Sequence, residues 1–286
     1  MKVVIVANCQ ARAINWLIEA PGITRFNPII IHLSKQDDEQ AHNGIFDQAD
    51  LIIAQRVDEN YPVNHLKTSR LKNDYGGKTL VIPNLYFTGQ TPDLFVLRDK
   101  NYKPIIGPLD TYHHKSIYDF WTWGINIEEA TQKFVQGDHP LFCREVGEKS
   151  LRELRAREND TDIVVSDFIG DHWLSERLFF VFNHPNLQML RLLATRVIKT
   201  KALPIIDYKN MRPGDQEEPL GAFRPFATDA QLQLIGCAFG SSNEAVSFKL
   251  KHIDNVTSMD RSSRKRWTST KFIEESYRIY DEKLAT

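Results

Sequence analysis

Continuous apolar runs alternate with polar, helix-compatible segments over the first 84 residues of the chain. Runs of this kind are typical of strands that are buried on both faces of a parallel sheet. Strands in such a sheet need helical, right-handed crossovers between them. We therefore predict an α/β fold with helices flanking a parallel sheet. The predicted strands are residues 2–7, 28–33, 50–55 and 78–84, and the predicted helices between them are residues 11–19, 37–46 and 63–72.

The pattern changes after residue 112, where most segments have helical periodicity. Residues 178–182 are apolar and short, so a strand and a buried helix turn both remain open. Frequent Pro, Gly and acidic residues predict a loop over 203–226. We expect a sheet core over residues 1–112 and a mainly helical part over 113–286, joined in one continuous structural unit. The predicted helices are residues 116–123, 127–136, 141–157, 161–175, 186–199, 229–239 and 270–284.

Composition and charge exclude several classes of protein. Of the 286 residues, 42% are hydrophobic and 26% charged, which is ordinary for a globular protein. A net charge of −1 argues against a generally basic nucleic-acid binder. The apolar runs are too short for a membrane span, and the first is too short for a signal peptide. Three widely spaced cysteines disfavour both a disulfide framework and a metal site, so we expect a cytoplasmic location.

A cysteine lies at the end of the first predicted strand. Cys9 directly precedes the first predicted helix, and open α/β sheets place their ligands at this edge. The helix N–H groups, with the amides of Asn8 and Gln10, would favour the thiolate. We therefore expect the pKa of Cys9 to lie below its ordinary value and its thiol to react fastest of the three. The alternative is a buried, inert cysteine.

Two further polar residues end predicted strands. Gln55 and Asn84 lie at the same sheet edge as Cys9, so the three side chains can converge. Their amides and the Cys9 N–H suit an oxyanion hole for acyl transfer, although they could simply cap the strands. Tyr86 and Gly89 follow in a turn that could form a pocket wall or its own packing.

A thiol nucleophile needs a base, and the chain has nine histidines. His184 follows an apolar run at a sharp turn before a helix, and His113 is the next candidate. Asp167 is our candidate for orienting a histidine, with Asp171 and Glu176 as alternatives. No HxxxH spacing occurs, which disfavours a metal site.

A late basic cluster comprises Arg261, Arg264, Lys265 and Arg266. It could bind a phosphate-rich cofactor, but a solvated face before a helix is the favoured interpretation. The chain contains neither a Walker A sequence nor a GxGxxG after the first strand, so a Rossmann dinucleotide site is disfavoured.

The motifs around these residues resemble those of the WcbI family of polysaccharide-biosynthesis enzymes. The first motif departs from the family's Gly-Asn-Cys-Gln by Ala7, which leaves less room for close backbone approach. The likeness extends to about residue 200, and residues beyond about 203 carry no matching motif. The matching segments, in order, are residues 7–12, 54–61, 82–93, 112–113, 166–169, 177–180 and 182–186.

The resemblance implies a coenzyme A-binding acetyltransferase of capsule or other surface-polysaccharide biosynthesis. It also implies a three-layer fold of the SGNH-hydrolase or flavodoxin type, with Cys9 in the usual serine position. Within the matching segments we assign Asn183 to substrate binding, and Arg12 and Arg177 to the cofactor.

The expected reaction moves acetyl from acetyl-CoA to a sugar or glycan hydroxyl. Either Cys9 takes the acyl group with His184 as general base, or His184 or His113 activates the hydroxyl for direct attack. A hydrolase using the same residues, an esterase or thioesterase, and a non-catalytic glycan- or nucleotide-binding module are the alternatives.

Overall fold

The structure, a computed structural model, describes residues 1–18, 22–31, 38–203, 218–253 and 256–284. Residues 19, 32–33, 37 and 204–217 of the predicted elements and loop lie outside this part of the chain. The strands are β1 (Lys2–Ala7), β2 (Thr24–Arg25), β3 (Ile29–Ile30), β4 (Leu51–Gln55), β5 (Thr79–Ile82), β6 (Leu94–Val96), β7 (Tyr112–His114), β8 (Phe179–Val181), β9 (His184–Pro185), β10 (Phe223–Arg224), β11 (Glu244–Ile253) and β12 (Val256–Thr268). The helices are α1 (Ala11–Leu17), α2 (Glu39–Gln48), α3 (Thr68–Tyr75), α4 (Lys115–Thr122), α5 (Ile127–Gln136), α6 (Arg144–Glu158), α7 (Ser166–His172), α8 (Leu187–Thr200), α9 (Asp229–Ile235) and α10 (Ser269–Leu284), with short 3-10 turns at Asn64–Leu66 and Gly76–Lys78.

The chain divides into two units, each built from separate stretches of sequence. Both draw on residues from before and after the change in sequence pattern at residue 112. The first unit comprises Met1–Leu85, Glu153–Phe168 and Asn186–Pro219, and the second comprises Tyr86–Arg152, Ile169–Pro185 and Leu220–Thr286.

A parallel sheet forms the centre of the first unit, as the apolar runs predict. The strands lie in the order β2-β1-β4-β5, and β3 pairs with the carboxyl end of β1. All five strands are parallel. Five of the six β1 residues are buried because both faces of the sheet are covered. This arrangement places the carboxyl ends of β1, β4 and β5 at one edge.

Helices cover the sheet on its two faces. Val4, Val6, Ile52 and Ala54 point to one face, where they join a core cluster with Phe46 of α2. Alternate residues of a strand point to opposite faces, so the neighbouring β1 residues point to the other side. There α1 packs against β1 and α8. The α/β fold with flanking helices is therefore confirmed.

Aromatic packing organises the second unit. Helices α4, α5 and α10 pack together, and the ring of Phe134 on α5 meets Phe226 edge to face at 5.4 Å between centroids. Phe226 packs in the same way against Phe272 of α10. Strands β6 and β7 pair antiparallel, as do β8 and β9. None of the helices among the described residues is long and apolar enough to cross a membrane.

Several predicted helices have the predicted starts because a side chain caps them. Asn126 accepts a hydrogen bond from the Glu129 N–H at the start of α5, and Asn186 accepts one from the Met189 N–H at the start of α8. Gly137 ends α5 in the left-handed conformation. Over residues 178–182, where the sequence left two possibilities, the structure has strand β8.

The second unit contains one long element that the sequence did not predict. Strands β11 and β12 form an antiparallel hairpin, and β10 pairs with β11 to make a three-stranded sheet. The late basic cluster is exposed and directly precedes α10, as predicted for a solvated face before a helix, but it lies on a strand, β12. Its polar and charged side chains hid the two-residue alternation that marks a half-buried strand.

Candidate active site

Three strand ends in the first unit bring polar side chains together. Asn8 follows β1, Gln55 ends β4 and Asn84 follows β5. The register sets Val6 opposite Ala54 and Gln55 opposite Ile82, so these ends lie level. The sequence predicted that Cys9, Gln55 and Asn84 can converge at this edge, and the structure joins Gln55 and Asn84 through Asn8, the residue before Cys9.

The carboxamide of Asn8 lies at the centre of this group. Its Oδ1 accepts from the Gln10 N–H at 3.0 Å, so its Nδ2 must face the other way. That Nδ2 donates to Asn84 Oδ1 at 3.1 Å. The Asn8 N–H donates to Gln55 Oε1, also at 3.1 Å. One asparagine thus links the ends of three neighbouring strands.

This network leaves two amino groups available as donors. Asn84 and Gln55 each use the carbonyl oxygen of the side chain on Asn8, which orients the NH2 group of each away from it. Neither NH2 group donates to another residue in the described part of the chain. Asn84 is half-buried and Gln55 is 6% exposed. Buried, oriented N–H donors are what an oxyanion hole requires.

Cys9 lies beside this network with its thiol half-buried. Its Sγ is 3.9 Å from Asn8 Oδ1. Burial raises the pKa of the thiol from its ordinary 9.0 to about 11, and the nearby N–H groups of Cys9 and Gln10 offset only part of this. The expectation of a lowered pKa is therefore wrong.

The helix N-terminus favours the thiolate only weakly, because two of the first N–H donors also have other acceptors. The Gln10 N–H donates to Asn8 Oδ1, and the Ala11 N–H donates to the Asn8 carbonyl at 2.9 Å. Helix α1 has only seven residues and a short dipole. Desolvation of the thiolate therefore changes the pKa more than the helix does. With a pKa of about 11, about one thiol in 10⁴ is ionised at pH 7.

The raised pKa predicts how Cys9 reacts in the free protein. The rate of alkylation by iodoacetamide should rise about tenfold per pH unit from neutral pH to beyond pH 9, because only the thiolate reacts. Mass spectrometry of the labelled peptides measures this rate. Cys237, whose pKa burial also raises to about 11, is the matched comparison. A rate at Cys9 that levels off below pH 9 would contradict the burial argument.

The remaining predicted residues of the first unit have other roles. Gln10 Nε2 donates to the Leu85 carbonyl at 2.9 Å, which ties the Cys9 turn to the end of β5. Arg12 lies half-buried in the first turn of α1. Among the described residues, the side-chain partner of Asp167 is an arginine rather than a histidine. Its two carboxylate oxygens accept from the Arg196 guanidinium at 2.6 and 2.9 Å, which holds its pKa below the ordinary value.

His184 lies in the second unit, where β9 returns along β8. The Tyr112 hydroxyl donates to Asn183 Oδ1 at 2.8 Å, so its oxygen, 3.2 Å from Nε2 of His184, is placed to accept from that nitrogen. The ring is 8% exposed and stacks against Phe223. Burial lowers the pKa of His184 from 6.5 to about 4, while the Leu220 backbone raises it slightly. The imidazole is therefore neutral at pH 7 and able to accept a proton.

His113, the second candidate base, is a buried histidine of the second unit. Its Nε2 lies 2.9 Å from the Ile105 carbonyl and its Nδ1 lies 3.1 Å from the Tyr280 hydroxyl, so both ring nitrogens are occupied. The side chain is 1% exposed, and burial lowers its pKa. A Cβ at Gly107 would lie 2.7 Å from this ring, so His113 fills a tight space. It is a core residue.

Gly89 and Tyr86 serve the packing of their own loop. A Cβ on Gly89 would lie 2.3 Å from the Phe87 ring and 2.9 Å from the Gly147 backbone, so no larger residue fits. Tyr86 packs on Phe182, with 5.1 Å between ring centroids. Of the two alternatives for this turn, the structure supports its own packing.

Arg177 is one of the two residues predicted to bind the cofactor. It lies 5.1 Å over the Phe239 ring, and burial, together with nearby Arg224, lowers its pKa. Its assignment to a cofactor remains a prediction.

A buried polar network in the second unit was missed. The Asp93 carboxylate accepts from Ser116 Oγ at 2.6 Å and lies 3.0 Å from His114 Nδ1. The pairing of Leu94 with His114 between β6 and β7 brings these groups together, and nothing in the sequence indicates that pairing. Phe134, with its ring edge to face against His114, isolates the network from solvent. No group of His, Cys, Asp and Glu in the described residues is arranged to hold a metal ion.

One family model matches more than half of the chain. The family model described as "Polysaccharide biosynthesis enzyme WcbI" matches residues 2–204. A search of curated proteins gives no match. A solved structure of WcbI, described as a novel polysaccharide biosynthesis enzyme, aligns with a TM-score of 0.71 at 18% identity, over 100% of this chain and 95% of that chain. It is further described as the native protein without a disulfide bond between CoA and one of its cysteines.

Proposed function

This chain belongs to the WcbI family of polysaccharide biosynthesis enzymes, as its motifs predicted, and from this premise we propose that it is a coenzyme A-dependent acyltransferase. The acceptor is a sugar hydroxyl of a capsule or other surface polysaccharide. The observation that carries the proposal is the half-buried Cys9 thiol beside two amide donors with unused NH2 groups. The CoA named for the related structure supports the choice of donor.

The residues of the first unit fit a thioester substrate. Acetyl-CoA supplies an activated acetyl group, and its carbonyl oxygen becomes negatively charged when a nucleophile adds. The NH2 groups of Asn84 and Gln55 donate to that oxygen and stabilise the charge. Water would compete for these donors, so their burial strengthens the interaction.

In the covalent route, Cys9 becomes acylated. Its Sγ bonds to the acetyl carbon as its proton passes to a general base, and the carbon–sulfur bond to the leaving thiol breaks. The base returns the proton to that thiol. A sugar hydroxyl then gives its proton to the base and attacks the Cys9 thioester, which releases the O-acetyl sugar and a free Cys9 thiolate that takes the proton back.

The pKa values constrain the timing of this route. The thiol at about 11 and the imidazole of His184 at about 4 are both neutral at pH 7, so neither environment favours a preformed thiolate–imidazolium pair. Proton transfer must then accompany attack. In the direct route, His184 activates the sugar hydroxyl and Cys9 only contacts the substrate. We place the reaction in the cytoplasm, since all three cysteines are free.

We expect His184 to be the base. His184→Gln should lower kcat by about 10²-fold, at the low end for a general base because its pKa is far below neutral. The wild-type kcat/KM should fall as the pH drops through about 4, not through 6.5, because the protonated ring cannot accept.

His113→Gln is the matched control for this prediction. It should lower the free energy of unfolding by about 1–3 kcal/mol, because the carbonyl of Ile105 and the hydroxyl of Tyr280 lose their buried partner. Its kcat should change only a few-fold. Thermal melts and steady-state kinetics on both variants give these values. A larger loss of kcat in His113→Gln than in His184→Gln would reverse the assignment.

A further inference from the structure

Three side chains of the second unit form one line of polar contacts that ends at His184. Strand β7 carries Tyr112, and the turn from β8 to β9 carries Asn183 and His184. The Tyr112 hydroxyl lies between the other two side chains, 2.8 Å from Asn183 Oδ1 and 3.2 Å from His184 Nε2. We call this group of three residues the tyrosine bridge.

The hydrogen bonds of the tyrosine bridge have a definite direction. A tyrosine hydroxyl has one hydrogen to donate and lone pairs that accept, whereas the carbonyl oxygen of an asparagine side chain only accepts. The hydrogen of Tyr112 is therefore donated to Asn183 Oδ1. The hydroxyl oxygen then accepts from His184, which requires the hydrogen of the neutral imidazole to be on Nε2. The lone pair of the ring is consequently on Nδ1.

Aromatic packing holds the rings of the tyrosine bridge in place. Tyr112 meets the His184 ring edge to face, with 5.6 Å between centroids, and is only 6% exposed. It also packs against Phe182 and Phe223, at 5.4 and 5.8 Å between centroids. The His184 ring stacks on Phe223. Because these contacts restrict rotation of the rings, the hydroxyl stays within reach of Nε2.

The other ring nitrogen of His184 is buried and meets no hydrogen-bond partner among the residues that the structure describes. A buried polar atom without a partner costs free energy, and a catalytic role is one reason why a protein keeps such an atom. The backbone of Leu220 favours the protonated ring, which offsets part of the cost of proton uptake. The lone pair on Nδ1 is therefore not used by the fold itself.

We infer that Tyr112, held by Asn183, is a positioning residue that selects the tautomer of His184 and makes Nδ1 the atom that accepts the proton. This role rests on the proposed function, in which His184 is the general base. In the other tautomer Nδ1 would already carry a hydrogen and could not accept. On proton uptake the ring becomes an imidazolium with a hydrogen on each nitrogen. Its Nε2–H bond to Tyr112 is kept, so Tyr112 neither gains nor loses a proton.

Nitrogen-15 NMR of the free protein at pH 7 tests the inference without any substrate. The ring nitrogen that carries hydrogen and the one that does not have well-separated shifts, and the spectrum of His184→Gln identifies the His184 signals. The wild-type protein should carry its hydrogen on Nε2. In Asn183→Leu the Tyr112 hydroxyl can donate to Nε2 instead, so the hydrogen should move to Nδ1. In Tyr112→Phe, which keeps the ring and loses the oxygen, both tautomers should be populated.

Asn183→Asp and Tyr280→Phe are the matched controls. Aspartate keeps an acceptor for Tyr112, so Asn183→Asp should keep the wild-type tautomer. Tyr280 contacts a different histidine of the same unit, His113, with 3.1 Å between its hydroxyl and Nδ1, so Tyr280→Phe should also leave His184 unchanged. Thermal melts check that each variant folds. Hydrogen on Nδ1 of wild-type His184, an unchanged tautomer in both Asn183→Leu and Tyr112→Phe, or an equal change in Tyr280→Phe would overturn the inference.

Steady-state kinetics separate this inference from the proposed function. Asn183→Leu should lower kcat about as far as His184→Gln does, by about 10²-fold, because a hydrogen on Nδ1 blocks proton uptake. Tyr112→Phe should lower kcat less, since part of its population keeps the active tautomer, and its KM for acetyl-CoA should change little. If the hydrogen moves to Nδ1 in Asn183→Leu while kcat stays at the wild-type value, selection of the tautomer by Tyr112 stands and the role of His184 as the base fails.

Discussion

Cys9→Ala protein incubated with acetyl-CoA should gain no acetyl group, whereas the wild-type protein should gain one at Cys9. We expect transfer to a sugar acceptor to fall by about 10³-fold or more, because the covalent intermediate cannot form. Intact-mass measurement without an acceptor, followed by peptide mapping, detects the adduct. The conditions need only the purified protein and the acyl donor.

Cys237→Ala is the control for this result. Cys237 is also half-buried and has the same raised pKa of about 11, but it hydrogen-bonds weakly to the Trp173 carbonyl and has no amide network beside it. Its removal should leave the adduct intact. Undiminished transfer by Cys9→Ala would exclude the covalent route and favour direct attack. Steady release of acetate without an acceptor would make the protein a hydrolase.

Asn84→Ala should lower kcat by about 10²–10³-fold, which corresponds to about 2.7–4 kcal/mol in activation free energy. The Asn84 NH2 group would donate to charge that develops only in the transition state, so KM should change little. Steady-state kinetics and thermal melts on the same preparation measure both constants and the stability.

Asn84→Asp separates chemistry from structure. Aspartate keeps an oxygen that can accept from Asn8 Nδ2, so the link between strand ends survives. It loses the NH2 donor and adds a negative charge, so its kcat should fall at least as far as that of Asn84→Ala. If Asn84→Asp keeps nearly full activity while Asn84→Ala loses stability, Asn84 only ties its loop to Asn8. Gln55→Glu offers the same comparison at the neighbouring strand, where Oε1 accepts from the Asn8 N–H.

The parallel sheet could be predicted from the sequence because strands that are buried on both faces are continuous apolar runs. The predicted strand at residues 2–7 matches β1, and the predicted helix at 127–136 matches α5. The common edge on which Cys9, Gln55 and Asn84 were expected to meet followed from the prediction of parallel strands. The family, too, was identified from short motifs in a fixed order, and the family model confirms it.

Properties that depend on desolvation and on competing partners could not be read in this way. The pKa of Cys9 rises because burial disfavours the thiolate more than the N–H groups of Cys9 and Gln10 stabilise it, a balance set within one turn. Asp167 is bound by Arg196, 29 residues further along the chain, and no local pattern indicates that pair. His113 resembles a catalytic histidine in sequence, yet Ile105 and Tyr280 occupy both its nitrogens.

The hairpin of β11 and β12 was missed in the sequence for a different reason. Strand β12 is rich in charged and hydroxyl side chains, and most of those described along residues 261–268 are exposed. Only Trp267 among those residues is buried, so the strand has one strong anchor rather than a repeated apolar face. Its partner β11 is more informative, because Val246, Phe248 and Leu250 alternate with polar residues. That alternation is the signal that could have revealed the hairpin.

The half-buried, protonated state of the Cys9 thiol also affects how readily the protein is oxidised in a cell. Peroxide attacks thiolates, so oxidation to sulfenic acid slows as the thiolate fraction falls. At about one ionised thiol in 10⁴, the resting protein offers oxidants little of the reactive form. We therefore expect the desolvation of Cys9 to protect its sulfur from irreversible damage in the resting protein, and the sulfur to become vulnerable only while a proton acceptor is engaged with it.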